Sequence, residues 1–168
     1  LRGVPEYVLV AAAVGWAVRM QERSRSNWAH NLTARRIGEL SCGKMKTIAE
    51  YVNDARLISK AFKHPPSIVA ALLYLIGRRD AGLARSFAHE WVHGARIDRN
   101  ENFDVFSNRI ITMQRQGGGH INSTARAAIM VQAFNYWNAG IVASQRGLFW
   151  KKTMDFPVLE FDGEAFKA

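Results

Sequence analysis

The sequence predicts an all-α protein: a single helical domain over residues 1–168, with about six helices and a short irregular or β tail over 141–168. Apolar residues recur at three- and four-residue steps along most of the chain, which is the period of an α-helix. Proline, glycine and helix-capping residues stand between these apolar segments. A length of 168 residues and a hydrophobic fraction of 48% are enough for one domain with a packed core. Because the chain begins at Leu1 rather than Met, we expect it to be a fragment of a longer protein.

Two helices are expected to be apolar on most sides, and the first of them to lie in the centre of the domain. It runs from Pro5 to about Glu22, because proline suits the first turn and an acidic residue there complements the helix dipole. Its uncharged part, Tyr7 to Val18, is shorter than the roughly 20 residues that cross a bilayer, so no membrane contact is predicted. The second runs from Ser67 to Ile76, after two prolines that end the preceding segment.

Capping residues and apolar spacing predict three further helices. Asp80 is expected to cap one, an amphipathic helix lies between residues 103 and 113, and Asn122 or Ser123 caps the last, which ends at Gly140. The tail that follows is rich in aromatic and β-branched residues and predicts one or two short strands. The core-facing residues of the last helix are predicted to be Ala125, Ala128, Ile129, Ala133, Tyr136 and Trp137.

The stretch over residues 33–63 predicts a short helix capped by Thr33, a tight turn at Cys42-Gly43 and a longer second helix. Basic residues surround the apolar side of this second helix. Two short helices joined by a turn of small residues, with basic residues outside, are typical of a helix-turn-helix that reads DNA. The predicted apolar stripe consists of Met45, Ile48, Val52, Ala55, Ile58 and Phe62.

Charge and cysteine content narrow the classes of partner. The formal net charge is +9 and the pI about 10.2, and a surface this basic attracts polyanions, most often nucleic acid. The only cysteine, Cys42, cannot form an intrachain disulfide or a four-cysteine metal site. We therefore expect a reducing, cytoplasmic location and a DNA partner.

The same stretch is similar to the helix-turn-helix of bacterial regulators. Thr33 to Leu40 resembles the first helix, with a small residue at Gly38 that lets the two helices approach closely. Lys46 to Ile48 and Tyr51 to Asp54 look like parts of the recognition helix, whereas residues 41–43 depart from the usual pattern of the turn. The resemblance implies that the second helix enters the major groove.

On this interpretation Lys44, Met45, Lys46, Ala49 and Glu50 face outward at the start of the second helix. The lysines would contact guanine edges or phosphates, and the glutamate would accept a hydrogen bond from cytosine. In the tail, Phe149 and Trp150 stand among basic residues, a composition typical of an arm that contacts phosphates or stacks on bases. The alternative is that the charges form the solvated side of two core helices, and that Phe149 and Trp150 close the core. The predicted DNA-binding residues are Arg35, Arg36, Lys44, Lys46, Thr47, Glu50, Lys60, Lys63, Arg146, Lys151 and Lys152.

Stretches along most of the chain resemble one further arrangement. They are LRG at the start, PPSIVAA over 65–71, LARSFAHEW over 83–91, ARAAIMVQAFNYWNAG over 125–140 and GLFWKKTMDFP over 147–157. Together they resemble the helical C-terminal region that follows a ParB-like domain in proteins of phages and other mobile elements. This resemblance implies a DNA-handling protein in which this part is a DNA-binding or assembly module. The functional residues of the ParB-like domain itself have no counterpart here.

One short motif suggests an enzyme instead. His89-Glu90-x-x-His93 would place two imidazoles on one face of a helix to hold zinc, with the glutamate as general base on a bound water. Packing offers another explanation, because Trp91 and Val92 continue the apolar stripe of the preceding turns. The candidate third ligands are Glu101, Asp104 and His120, none of which lies in a familiar pattern.

A third possibility is an oligomerisation module that uses the apolar helices and Trp137 and binds no nucleic acid. Of the three, we expect a non-enzymatic DNA-binding module without a cofactor, which also has the apolar surface for self-association. A zinc-dependent hydrolase and a pure oligomerisation module remain as alternatives.

Overall fold

The structure is a computed structural model, which describes residues 6–22, 33–62, 65–94, 112, 122–140, 147–151, 153–161 and 164–165; for residues 22, 61, 62, 92–94, 164 and 165 it describes the backbone alone. The prediction of an all-α protein is confirmed. The elements within these ranges are α1 (Glu6–Glu22), α2 (Ala34–Cys42), a 3₁₀ helix η1 (Lys46–Tyr51), α3 (Val52–Phe62), α4 (Pro66–Arg79), α5 (Ala81–Gly94), α6 (Ser123–Ala139), β1 (Glu160–Phe161) and β2 (Glu164–Ala165).

The chain divides into two compact units. The first holds α1 to α4 and α5 as far as Val92, and the second holds α6 and the tail. The predicted helix between residues 103 and 113 lies outside the described part of the chain, apart from Thr112, which is helical. No helix in the described ranges has the length and apolar character that crossing a membrane requires.

The core of the first unit is built around α4. Every residue from Ile68 to Ile76 is buried, and α1, η1 and α3 all contact this helix. The sequence placed α1 in the centre, but only one side of α1 is buried, and Tyr7 at its start is 75% exposed. Both helices are apolar, so their composition does not show which of them the other helices surround. The larger side chains of α4 fill the centre of the unit. Ala13 and Ala17 are small, and they let the buried side of α1 pack closely.

Local capping chemistry sets the helix ends as predicted. Thr33, Asp80 and Asn122 are N-caps: their side-chain oxygens accept hydrogen bonds from backbone N–H groups in the first turn, at 3.1, 3.1 and 2.8 Å. At the C-terminus of α6, Gly140 adopts a left-handed conformation with φ of 70°, which glycine enters without a steric penalty. Pro66 occupies the first turn of α4, one residue before the predicted start.

In the second unit α6 is buried on all sides over its first half, from Thr124 to Val131. Four of the six predicted core residues of this helix are buried, whereas Tyr136 and Trp137 are half-buried. The predicted tail strands are confirmed as an antiparallel pair, in which Glu160 lies opposite Ala165.

Amide side chains of α6 bind the tail. Asn135 donates from Nδ2 to the carbonyl oxygen of Val158 at 2.8 Å and accepts at Oδ1 from the backbone N–H of Glu160 at 2.9 Å. Asn138, one turn further, donates to the carbonyl oxygen of Glu160 at 3.1 Å. These side chains supply hydrogen-bond partners to the backbone just before β1 and at its first residue.

Candidate nucleic-acid interface

The predicted helix-turn-helix stretch has its first helix and its turn where the sequence placed them, but the second helix is divided. Gly43 closes α2 through a hydrogen bond from its N–H to the carbonyl oxygen of Leu40 at 3.3 Å. The next residues form the 3₁₀ helix η1, and α-helical structure begins only at Val52. The prediction of one continuous second helix is therefore wrong at its start.

Side-chain spacing gives the physical reason for the 3₁₀ helix. Met45, Ile48 and Tyr51 follow at steps of three residues, and all three are buried, at 4%, 0% and 8% exposure. A 3₁₀ helix has three residues per turn, so residues three apart lie directly above one another. One side of η1 thus carries all three apolar side chains into the core.

Of the five residues predicted to face outward at the start of the second helix, four are exposed and one is buried. Met45 was predicted both in the apolar stripe and among the residues that face outward. Its burial confirms the first prediction and shows that the second is wrong, because Met45 belongs to the buried row. Lys44, Lys46, Thr47 and Glu50 are exposed beside that row. Ala49 is exposed with them.

Two tyrosines hold η1 against α4. Tyr74 of α4 donates to the carbonyl oxygen of Lys44 at 3.5 Å, and the Tyr51 ring packs on the backbone of α4 at Gly77. Burial raises the pKa of the Tyr51 hydroxyl, and the nearby Glu50 raises it further, whereas Arg85 lowers it. Tyr51 is therefore a support for the surface, not part of the face that looks like a recognition helix.

A Gly77→Ala substitution tests this support. A Cβ atom at Gly77 would lie 1.9 Å from the Tyr51 hydroxyl oxygen and 2.7 Å from ring carbon Cζ, so the buried ring would have to move. Overpacking of this kind costs about 1–3 kcal/mol, against a helix-propensity gain of roughly 1 kcal/mol for alanine. We expect a net loss of stability in urea denaturation. Gly38 of α2 is exposed and a Cβ there would meet nothing within 4 Å, so the expected close approach of a helix at this position is wrong. Gly38→Ala is therefore the control and should be neutral or stabilising.

The exposed side of α3 carries four residues at helical spacing. Asn53, Arg56, Leu57 and Lys60 are all exposed, and the leucine is 54% exposed although it is a large apolar residue. The opposite side, which includes Ala55 and Ile58, is buried without solvent contact. Of the four, only Lys60 was predicted as a site residue; the other three occupy the positions that the apolar stripe leaves free, and this is the signal that identifies them.

Arg35 and Arg36, the two predicted phosphate contacts on α2, share one carboxylate. Arg35 Nε lies 3.3 Å from Glu39 Oε1, and Arg36 Nη1 lies 3.4 Å from Oε2. All three side chains are at least half exposed, so these ion pairs stabilise the helix little. The cluster nevertheless presents a net charge of only +1 to an approaching anion.

A basic residue that the sequence interpretation did not single out acts electrostatically on the buried Tyr51. Arg85 of α5 is exposed and near enough to Tyr51 to lower its pKa. It is 34 residues further along the chain (85 − 51) and belongs to another helix, so no local pattern connects the two. The first unit thus brings a guanidinium from α5 close to the end of η1.

Of the other predicted DNA contacts, some lie outside the residues that the structure describes. Lys63, Arg146 and Lys152 lie outside the described residues. Lys151 is described and exposed. Of the tail aromatics, Trp150 is buried, as the core-closing alternative expected, but Phe149 is 40% exposed.

The His-Glu-x-x-His motif lies on α5. His89 and Glu90 are exposed, whereas Trp91 is fully buried and its ring centroid lies 5.2 Å from that of the buried Phe87. The side chain of His93 is not among those described, and the candidate third ligands Glu101, Asp104 and His120 lie outside the described residues. Within the described ranges no three His, Cys, Asp or Glu side chains group as a metal site.

Five of the eight described residues of the predicted site lie on one stretch of the first unit, whereas Arg35 and Arg36 lie on α2 and Lys151 lies in the second unit. Lys44, Lys46, Thr47, Glu50 and Lys60 all lie on the exposed side of η1 and α3. Comparison with protein-family models, with curated proteins and with solved structures finds no match to this chain. Its function is therefore inferred from the chemistry of its own residues.

Proposed function

We propose that this chain binds duplex DNA through the exposed side of η1 and α3, as a helical module of a ParB-like protein of a phage or mobile element. The observation that carries this proposal is an exposed row of side chains on α3, which consists of Asn53, Arg56, Leu57 and Lys60. Its basic side chains complement the phosphates of DNA, and its amide and leucine complement the polar and apolar parts of the base edges. The net charge of +9 is of the sign that the phosphate backbone attracts.

The chemistry of the row suits the major groove, whose width of about 12 Å admits an α-helix. An asparagine amide pairs with adenine, a guanidinium with guanine, and an exposed leucine contacts the methyl group of thymine. Asn53, Arg56 and Leu57 are of these types and lie on one face of α3. Glu50, three residues before Asn53, is of the type that accepts from the amino group of cytosine.

Lysines at the two ends of this surface supply the phosphate contacts. Lys44 lies just before η1, Lys46 is the first residue of η1, and Lys60 lies in the last turn of α3. Phosphate contacts fix the position of a protein on the duplex and carry no sequence information, so they account for affinity rather than specificity. Arg35 and Arg36 contribute less, because Glu39 offsets one of their two charges.

The experiment is fluorescence-anisotropy binding to a duplex of random sequence across a salt series. Wild-type affinity should fall steeply with salt, because each phosphate contact contributes about −0.9 to the slope of log K against log[salt]. The variant Lys44→Ala/Lys46→Ala should lower the magnitude of this slope by about 2 and weaken binding at every salt concentration.

The matched control is Arg35→Ala/Arg36→Ala, which also removes two positive charges but leaves Glu39 in place. It should change the slope by less than the lysine pair does. Equal effects of the two variants would show that net charge, not the η1–α3 surface, determines binding. Wild-type protein without affinity for duplex at low salt would refute the proposal, and a dimer insensitive to salt in the same sample would favour the oligomerisation alternative.

A further inference from the structure

The tail of the second unit presents one large aromatic side chain to solvent between two buried ones. Leu148 is fully buried and Trp150 is 4% exposed, but Phe149 between them is 40% exposed. Trp150 is fixed by a hydrogen bond from Nε1 to the carbonyl oxygen of Asp155 at 3.1 Å and by its edge-on contact with Phe156. The residues before and after Phe149 are therefore both fixed in the core.

The backbone of Phe149 is also fixed directly. Gln132 of α6 donates from Nε2 to its carbonyl oxygen at 2.8 Å and accepts at Oε1 from its N–H at 3.0 Å. One amide side chain thereby satisfies both backbone groups of the residue, as a neighbouring strand would. The ring is therefore held outward on a backbone that cannot easily turn it into the core.

A cation lies over one face of this ring. The Nζ atom of Lys151 is 5.9 Å from the Phe149 ring centroid, within the range of cation–π attraction. A single exposed aromatic side chain on a protein surface is ordinary and needs no explanation. The fixed backbone and the adjacent ammonium distinguish Phe149, because together they provide a flat apolar face beside a positive charge.

We propose that Phe149 and Lys151 form a second nucleic-acid site, which takes an unpaired base of a single strand. The base stacks on the Phe149 ring and Lys151 neutralises the adjoining phosphate, which is the combination that single-strand binders use. Stacking needs an unpaired base, since the faces of bases inside a duplex are already covered. This site lies in the second unit and does not depend on the duplex contact proposed for η1 and α3.

The test is anisotropy binding of the full chain to single strands of deoxythymidine and of uridine of equal length, which separates DNA from RNA as the source of the base. Phe149→Ala should weaken binding at least about fivefold with little change in the salt dependence, because it removes stacking and no charge. Lys151→Ala should lower the magnitude of the salt slope by about 0.7. Phe149→Trp should retain binding, since tryptophan keeps a flat aromatic face.

Phe149→Leu provides the sharper comparison, because leucine keeps apolar bulk without the flat face and should lose as much affinity as alanine. Tyr7→Ala, which removes a 75% exposed aromatic side chain from α1, is the matched control and should bind like wild type. Single-strand affinity that is absent in wild type, or unchanged in both Phe149→Ala and Phe149→Leu, would overturn this proposal. Duplex affinity measured on the same samples reports separately on the η1–α3 surface.

Discussion

Phe134→Ala is expected to lower the free energy of unfolding by about 3–5 kcal/mol, the range for removal of a buried phenylalanine side chain. Phe134 of α6 has no solvent exposure. Its ring centroid lies 6.0 Å from that of Trp137 and 5.7 Å from that of Phe161 in β1. The substitution therefore removes the ring through which α6 packs against β1, and it leaves a cavity between the helix and that strand.

The measurement is thermal unfolding followed by circular dichroism. A loss of this size corresponds to a fall in Tm of roughly 6–20 °C for a chain of this length. Phe134→Leu should cost less, because leucine fills much of the cavity. Phe149→Ala is the matched control: its ring is exposed, so its Tm should stay within about 2 °C of wild type. Equal Tm values for the Phe134 and Phe149 variants would contradict the packing described for α6.

The parts of this fold that the sequence predicts are those that depend on neighbours along the chain. The caps at Thr33, Asp80 and Asn122 each bond to a residue two or three positions later, so the residue types alone identify them. The apolar stripe of α3 is equally local. Exposure of the basic residues beside it follows from the same period, since residues off the stripe point away from the core.

The parts that the sequence does not predict depend on contacts between distant segments or on a choice between similar periods. Met45, Ile48 and Tyr51 fit both a helical stripe and a 3₁₀ row, and over so short a stretch the spacing does not separate the two. Gln132 binds Phe149 from 17 positions away, and a glutamine on a helix gives no sign of the backbone it will meet. The position of Arg85 near the end of η1 likewise follows only from tertiary packing.

We expect substitutions at two positions of the His-Glu-x-x-His segment to change the free energy of unfolding by very different amounts. Trp91 is fully buried against Phe87, and Trp91→Ala should lower the free energy of unfolding by about 3–5 kcal/mol. His89, two residues earlier on the same helix, is exposed, so His89→Ala should change it by no more than about 0.5 kcal/mol. The contrast is measured by urea denaturation of the two variants beside wild type.

The zinc alternative predicts a different result from the same variants. A metal that binds the folded chain through His89 and His93 would stabilise it, because the unfolded chain lacks a preformed site. His89→Ala and His93→Ala would then both destabilise the protein, and both would lose a stoichiometric metal detectable by elemental analysis. Unchanged stability of both variants, together with wild-type protein that takes up no zinc when the metal is supplied, would exclude the zinc site. The spacing of the two histidines would then have no metal-binding role, and Trp91 would remain the residue of this stretch whose loss destabilises the fold.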